Sequence, residues 1–349
     1  MRGISDSDIE RFAAILRADI RTSARAPLQA ADFLNPDALV RMNQSLQSLS
    51  TMRVGGPARL LAEPGSEAEA IALIQAARTA GIPYIVIGNG SNIVASEKGV
   101  DALVIRFADR FAAVSEADPA DLRGALTDKD GNSLRDVPER LYFRAESGAL
   151  LSSVAARAAK AGGAGMEFAG GIPGSIGGAV YMNAGAYGSE MADILAFARV
   201  VDSDGEVRDY RVDQMELGYR ESRFSTKGGT VLTVYITLKR DDPQAILSRM
   251  SELNAKRASC QPLNMPSCGS AFKRPPGHYA GALIEQAGLK GFSIGGAQVS
   301  VKHAGFIVNK GNATAQDIYD LSGHIIRTVR EQTGVTLDPE ICFLGFNEG

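Results

Sequence analysis

Nineteen consecutive residues from Gly170 to Gly188, GGIPGSIGGAVYMNAGAYG, hold seven glycines and no charged side chain. Glycine gives the main chain angles closed to other residues and lets a ligand touch it directly. Successive exposed N–H groups can then cradle an anion without a lysine. Two further loops share this chemistry. GNGSN at 88–92 is small, polar and uncharged, and MRVGGPA at 52–58 sets Arg53 beside a glycine pair, where its donors can meet a phosphate. Three such loops suggest a large dinucleotide lying across the junction of the parts that carry them. The longest of them, taken alone, also fits a tightly packed turn region in a β domain. It is not GxGxxG after a strand, and no GxxxxGK followed by Ser or Thr occurs, so neither a Rossmann site nor a P-loop is indicated.

The elements that must hold these loops can be read from periodicity. Ile9, Phe12, Ala13, Leu16 and Ile20 recur at helical spacing, which predicts an amphipathic N-terminal helix, here taken as a lead-in followed by connecting structure. RLLAE reads as a strand, SEAEAIALIQAARTAG as a helix closed by Gly81, and IPYIVIG and ALVIRF as strands, so GNGSN follows a strand in a small β-α-β-β unit. Residues 115–138 are polar and turn-rich and predict a surface hairpin or insertion. LYFRAES then predicts a strand, and LLSSVAARAAKAG a helix running into the glycine-rich stretch. ILAFARVVDSDGEVRDYRV predicts a hairpin around Asp204-Gly205, and TVLTVYITLKR another strand. After Asp242-Pro243 come a helix, a loop-like QPLNMPSCGSAFKRPPG, a helical GALIEQAG, a strand HAGFIVNKG, and a long helix from Thr314 to Gly334. The expected division is 1–44 as lead-in, 45–109 and 110–240 as two subdomains, and 241–340 as a third unit, with 341–349 packing back on the second.

With 349 residues, 45% of them apolar, the chain has enough material for two or three cores. A net charge of -3, with 37 Lys and Arg residues scattered along the sequence, gives no basic field, so no nucleic-acid partner is expected. The N-terminus lacks the apolar core of a signal peptide, and no run of apolar residues approaches a spanning length, so the expectation is a cytoplasmic protein with no membrane insertion. Cys260, Cys268 and Cys342, with His278, His303 and His324, show no zinc-like spacing, and no metal is expected. Nothing in the sequence fixes the oligomeric state; a monomer is the working expectation.

In chain order, IGNGSNIV, GIPGSIGGAVYMNAGAYG, GYRESRF, CGSAFKRP, LIEQAGLKG, GGAQVSVKHAGFIVN and LDPEICFLG closely resemble the signatures of the bacterial UDP-N-acetylenolpyruvoylglucosamine reductases, from about Asn43 to Gly345. The resemblance implies an α+β protein. Its first two subdomains would form an FAD-binding fold of the vanillyl-alcohol-oxidase (PCMH) type, and a C-terminal α+β domain would bind a UDP-sugar carrying an enolpyruvyl group. It further implies non-covalent FAD, NADPH as co-substrate, ping-pong kinetics, and a place in peptidoglycan precursor synthesis. No tyrosine-bearing insertion lies between Phe224 and Gln261, so the chain resembles the shorter, second type of the family.

Carried over motif by motif, the resemblance makes Ser270 the proton donor, Arg220 the group that polarises the substrate carboxylate, and Glu340 the group that assists from the other side. Without it, the three read as a turn serine, a surface arginine and a solvated loop charge. The expected flavin contacts are Arg53, Gly55 and Gly56; Gly88, Asn89, Gly90, Ser91 and Asn92; and Ile172, Pro173, Gly174, Ser175, Gly177, Gly178, Asn183, Gly185 and Ala186. Tyr187 and Lys273 are candidate substrate contacts. His303 is read as an ordering residue of the third unit, not as an acid or base.

The sequence departs from the family pattern at Cys260, where a lysine usually precedes Gln-Pro, and at Cys342, where an arginine usually follows the glutamate. Lys256, Arg257, Lys273 or Arg274 are candidates to replace the lost charge, and the two thiols could approach each other when the site closes. Two competing functions remain open at this level. One is an FAD-dependent oxidase sharing only the flavin fold, and the other is a catalytically silent paralogue.

Overall fold

The computed structural model describes residues 3–20, 39–118 and 139–346. The first unit contains helices α1 (Asp6–Ile20) and α2 (Glu67–Ala80) and strands β1 (Val40–Ser45), β2 (Pro57–Ala62), β3 (Tyr84–Ile87), β4 (Ile93–Ala95) and β5 (Val100–Arg106). Ser66 starts α2 by accepting the Glu69 N–H, and Gly81 stops it in the left-handed conformation at φ 73°. Four strands form a sheet in the order β1-β2-β5-β3, with β1 antiparallel to β2 and the other pairs parallel. The N-terminal helix is not a lead-in. Phe12 and Leu16 are fully buried with Leu60, Leu73, Leu103 and Ile105, so α1 completes the first core. β1 also falls where connecting structure was expected. Only its first residue is fully buried, and its polar end is tolerated because it sits at the sheet edge.

The second unit is an antiparallel sheet with helices on one side. Its strands are β6 (Val114–Glu116), β7 (Arg140–Glu146), β8 (Gly163–Ala164), β9 (Gly185–Ala186), β10 (Ser189–Glu190), β11 (Leu195–Asp202), β12 (Val207–Arg211) and β13 (Gly229–Arg240). The main sheet runs β12-β11-β13-β7-β6, with β8 also on β13. Helices α3 (Leu151–Lys160), α4 (Ile176–Tyr181) and α5 (Arg223–Thr226) bring Val154, Ile176, Val180 and Phe224 onto Phe143, Val234 and Ile236. Asp202 secures the hairpin turn, because it accepts bonds from the Tyr210 hydroxyl and, at 2.9 Å, from Arg208. Most of the polar segment expected as an insertion lies outside the described residues, but its first part forms β6 on β7. Val201 and Leu232 of this sheet reach into the first core, so the two units share apolar contact.

The third unit comprises α6 (Pro243–Cys260), α7 (Ala280–Gln286) and α8 (Ala315–Thr333), with β14 (Ser267–Ser270), β15 (Ser293–Ile294), β16 (Ala297–Val299), β17 (Phe306–Asn309) and β18 (Cys342–Leu344). Thr314 and Asp317 form a capping box on α8, and Gly334 ends it at φ 74°. The segment read as a loop holds β14, paired with β17 through an irregular register between Ser267 and Ser270. One expectation is overturned: the C-terminal strand does not return to the second unit. β18 runs parallel to β4, pairing Cys342 with Ile93 and Leu344 with Ala95 in the first unit. β4 has no place in the first sheet, so its free edge takes the distant strand.

Further bonds fasten the third unit to the first. Asn309 Nδ2 donates to the Met52 carbonyl at 3.0 Å and Thr51 Oγ1 to the Ser267 carbonyl at 2.7 Å. The Glu97 carboxylate accepts the Ala315 N–H at the start of α8, where the helix dipole favours negative charge. Among the described residues no helix is long and apolar enough to cross a membrane.

Candidate functional site

Two of the glycine-rich loops meet across the junction of the first two units. Ser91 Oγ donates to the Pro173 carbonyl at 3.3 Å, and a Cβ on Gly88 would overlap Ser175 Oγ. The third loop joins them, because the Thr51 N–H donates to the Gly90 carbonyl at 3.1 Å. Not every glycine faces a ligand. Gly170 and Gly171 leave room for Met250 and Asn254 of α6, and Gly177 lies against Ser147. The Gly56 and Gly177 amides are spent on the Ser96 and Ser147 carbonyls, and those of Ile172 and Gly178 on Ala169 and Ser175. Several amides stay available. Among the described residues the N–H groups of Asn89, Gly90, Ser91, Gly174 and Ser175 donate to no protein acceptor, and Ser175 opens α4 as its N-cap. Uncharged donors gathered from two units are the kind of group that can cradle a diphosphate. The Arg53 side chain beside them is exposed.

The catalytic candidates converge from three segments of the chain on one cavity of about 380 Å³. Arg220, Ser270 and Glu340 all line it, with Tyr219, Arg274, Tyr279, Glu285, Lys302 and His303 among their neighbours. Arg220 follows α4 and β9 in the chain and reaches the third unit, where its Nε donates to Glu340 Oε1 at 3.0 Å. A second guanidinium nitrogen donates to the Gly185 carbonyl at 3.0 Å, so the fork is held at two points. Burial pushes the Glu340 carboxyl above the usual carboxylate range, and the positive charges of Arg220 and Lys273 only partly oppose this. Ser270 Oγ donates to the Phe272 carbonyl at 3.0 Å, at the end of β14.

Positive φ falls on several of the candidate residues. Six non-glycine residues have positive φ among the described residues, and four of them, Arg53, Asn183, Tyr187 and Arg220, are site candidates. Asn183 is locked in that conformation by donating to the Gly218 carbonyl at 2.9 Å and accepting the Ala192 N–H at 3.0 Å. Gly218 precedes Tyr219 and Arg220, so Asn183 steadies the arginine loop.

Other expectations are placed differently. Tyr187 does not line the cavity; its hydroxyl donates to the Leu253 carbonyl of α6 at 3.2 Å, and Lys256 Nζ lies 5.7 Å from its ring centroid. Lys273 is absent from the lining and pairs with Asp338 at 2.8 Å, an ion pair that raises its pKa. His303 Nδ1 accepts the Gly305 N–H at 3.1 Å, and burial holds its pKa below the ordinary value, which suits an ordering role. Both thiols are free. Cys260 donates to the Lys256 carbonyl at 3.2 Å, whereas Cys342 lies 3.9 Å from Asn92 Nδ2 with its pKa raised by desolvation and by Glu340. Cys268 is buried and pushed up to about 12, chiefly by desolvation, so it stays a protonated thiol.

Of the cations named from the sequence, Arg274 reaches the cleft, and Lys302 joins it without having been named. Arg274 stacks on Tyr279 with its guanidinium carbon 4.0 Å from the ring centroid, and its N–H donates to the Tyr219 hydroxyl at 3.1 Å. Lys302 Nζ donates to the Ala258 carbonyl at 2.6 Å, placing an ammonium at the last turn of α6. Arg257 belongs to the same turn, and its Nε has no partner among the described residues. Cations therefore gather beside Cys260 despite the uncharged residue there. The only available signal was the abundance of basic residues in the motifs, which does not say which of them meet.

Residues 261–344 match the family model described as UDP-N-acetylenolpyruvoylglucosamine reductase, C-terminal domain, and residues 58–211 match the one described as FAD binding domain. A UDP-N-acetylenolpyruvoylglucosamine reductase of Clostridium botulinum (strain Eklund 17B) is 42% identical over 312 residues, 89% of this chain and 95% of its own. That of Caldanaerobacter subterraneus is 43% identical over 305 residues, covering 87% and 93%. The crystal structure of the Thermus caldophilus enzyme aligns with a TM-score of 0.69 at 36% identity, covering 86% of this chain and 98% of that one. The fold is thus the two-subdomain FAD-binding architecture with an appended α+β unit. The unpaired amides at 89–91 and 174–175 fit the FAD diphosphate, and the FAD-binding match spans both loops.

Proposed function

The chain belongs to the UDP-N-acetylenolpyruvoylglucosamine reductase family, and from that premise we propose that it reduces the enolpyruvyl ether of UDP-N-acetylglucosamine to UDP-N-acetylmuramate with NADPH. The reaction would serve peptidoglycan precursor synthesis in the cytoplasm. FAD, when bound, supplies hydride chemistry between the two substrates, which take turns in one cleft. The residues of the chain handle charge and protons. Adding hydride to the terminal alkene carbon leaves negative charge on its neighbour, spread into the attached carboxylate. Arg220 binds that carboxylate through its planar fork, and Glu340 fixes the guanidinium. Ser270 gives its hydroxyl proton to the neighbouring carbon, a task open to a weak acid when the acceptor is a developing carbanion within hydrogen-bond reach.

The observation that carries this reading is the convergence of Arg220, Ser270 and Glu340 on one cavity from three separate segments of the chain. The test uses purified yellow protein in two half-reactions. NADPH should bleach the flavin of wild type and of Ser270→Ala alike. Only wild type should then be promptly reoxidised by the enolpyruvyl sugar nucleotide, with solvent deuterium entering the product at the carbon that bears the ether oxygen in D2O. Fast reoxidation by oxygen with no response to the sugar nucleotide would instead identify an oxidase, and failure of both half-reactions a silent paralogue.

A further inference from the structure

Asn92 is the last residue of the loop that supplies the free amides, and the sequence places it among the flavin contacts. Its side chain is engaged elsewhere. Asn92 Nδ2 donates to the Glu340 carbonyl at 2.8 Å, and the Asn92 carbonyl accepts the Cys342 N–H at 2.9 Å. The Glu340 N–H in turn donates to the Ala271 carbonyl at 2.9 Å, one residue beyond Ser270. The Glu340 backbone is therefore clamped on both sides, by the residue after the serine and by the flavin loop. Its carboxylate is left to meet Arg220 at 3.0 Å. The strand pairing of β18 with β4 needs only main-chain groups, so the Asn92 amide adds something the ladder does not require.

We propose that Asn92 is a positioning residue for Glu340, setting the carboxylate against Arg220 through the main chain rather than holding the flavin with its side chain. This rests on the function proposed above. The side-chain bond joins the flavin loop to the main chain that carries the carboxylate, so a loop correctly formed around its cofactor also places the carboxylate. Glu340 and the flavin loop thus share one reference point.

The test is a double-mutant cycle on the flavin-loaded enzyme, with Asn92→Ala and the isosteric acceptor Asn92→Asp, each made in wild type and in Glu340→Gln. Loss of one hydrogen bond to the carboxylate's backbone should slow sugar-nucleotide-driven reoxidation about tenfold in wild type. The same change should cost less than about twofold in Glu340→Gln, because neighbours that act together are not additive. Equal losses in both backgrounds, or loss of flavin in proportion to loss of rate, would overturn the proposal. An infrared titration of the Glu340 carboxyl, differenced against Glu340→Gln, decides the matter without turnover. The carboxyl titration should move in both Asn92 variants, and an unmoved titration would refute the positioning role even if the function were wrong. A wild-type enzyme that ignores the sugar nucleotide would sink the function alone.

Discussion

Arg220 and Glu340, separated by 120 positions in the sequence and carried by different units, meet side chain to side chain at 3.0 Å. Both are mostly buried, with 20% and 13% of their side chains exposed. A pair so shielded is held by geometry, and neither partner is interchangeable with a residue of the same charge.

Arg220→Lys should therefore behave as a damaging substitution. An ammonium cannot hold both Glu340 and the Gly185 carbonyl with the spacing of the guanidinium. The expected result is a kcat lower by about 10²–10³, the usual cost of removing an aimed donor. Steady-state kinetics with NADPH in excess measures this, and a change under threefold would show that the fork is not used.

The Glu340 carboxyl sits above the ordinary range through burial, so the native state binds this proton more tightly than the unfolded chain. Its contribution to stability is complete at pH below the unfolded carboxyl pKa and declines as pH rises through the native one. Urea unfolding across that window should show the decline in wild type and a flatter profile in Glu340→Gln. Cys342→Arg should bring a cation near the carboxyl, lower its pKa and move the window down. A window that stays put or rises in this variant would contradict the electrostatic account.

Gly88→Ala should strip flavin from the protein, because a Cβ there overlaps Ser175 Oγ and forces the two loops apart. Gly81→Ala is the control. Its Cβ would meet nothing within 4 Å, although its φ of 73° is left-handed. It should lose about 1 kcal/mol of stability and keep its colour. The ratio of flavin to protein absorbance separates the two. Equal flavin content in both variants would mean that the contact of the two loops is not needed for binding.

Lys302 lines the cavity and caps α6 at Ala258, near Lys256 and Arg257. Lys302→Met should raise KM for the sugar nucleotide about tenfold, the equivalent of one charge-assisted hydrogen bond, with a smaller change in kcat. Increasing salt should weaken binding to wild type more than to the variant. Unchanged KM would leave the ammonium with a purely helix-capping role.

The scaffold was largely legible because its signals are local. Ser66 and Gly81 bracket α2, Thr314 and Gly334 bracket α8, and Asp204-Gly205 closes a hairpin, each through contacts within a few residues. β14 was not legible, because Ser267–Ser270 contains Gly269 and pairs with a broken register. β18 was assigned to the wrong unit because nothing local marks β4 as its partner. The site divides in the same way. Loop composition pointed to a dinucleotide cradle, but it could not show that several glycines serve helix packing and loop contact instead. Arg220, Ser270 and Glu340 carry no local signature of function, and only the family resemblance singled them out. What joins them is tertiary: the left-handed turn at Arg220, the strand end at Ser270 and the clamp on Glu340.

The pairing of β18 with β4 links positions about 250 residues apart, as the Asn92–Cys342 contact illustrates. During synthesis the earlier strand must wait, its edge unmatched, while nearly everything between the two is made. Contacts of such range slow folding and leave an intermediate open to misassociation. The carboxylate can therefore meet Arg220 only after the intervening chain has been made.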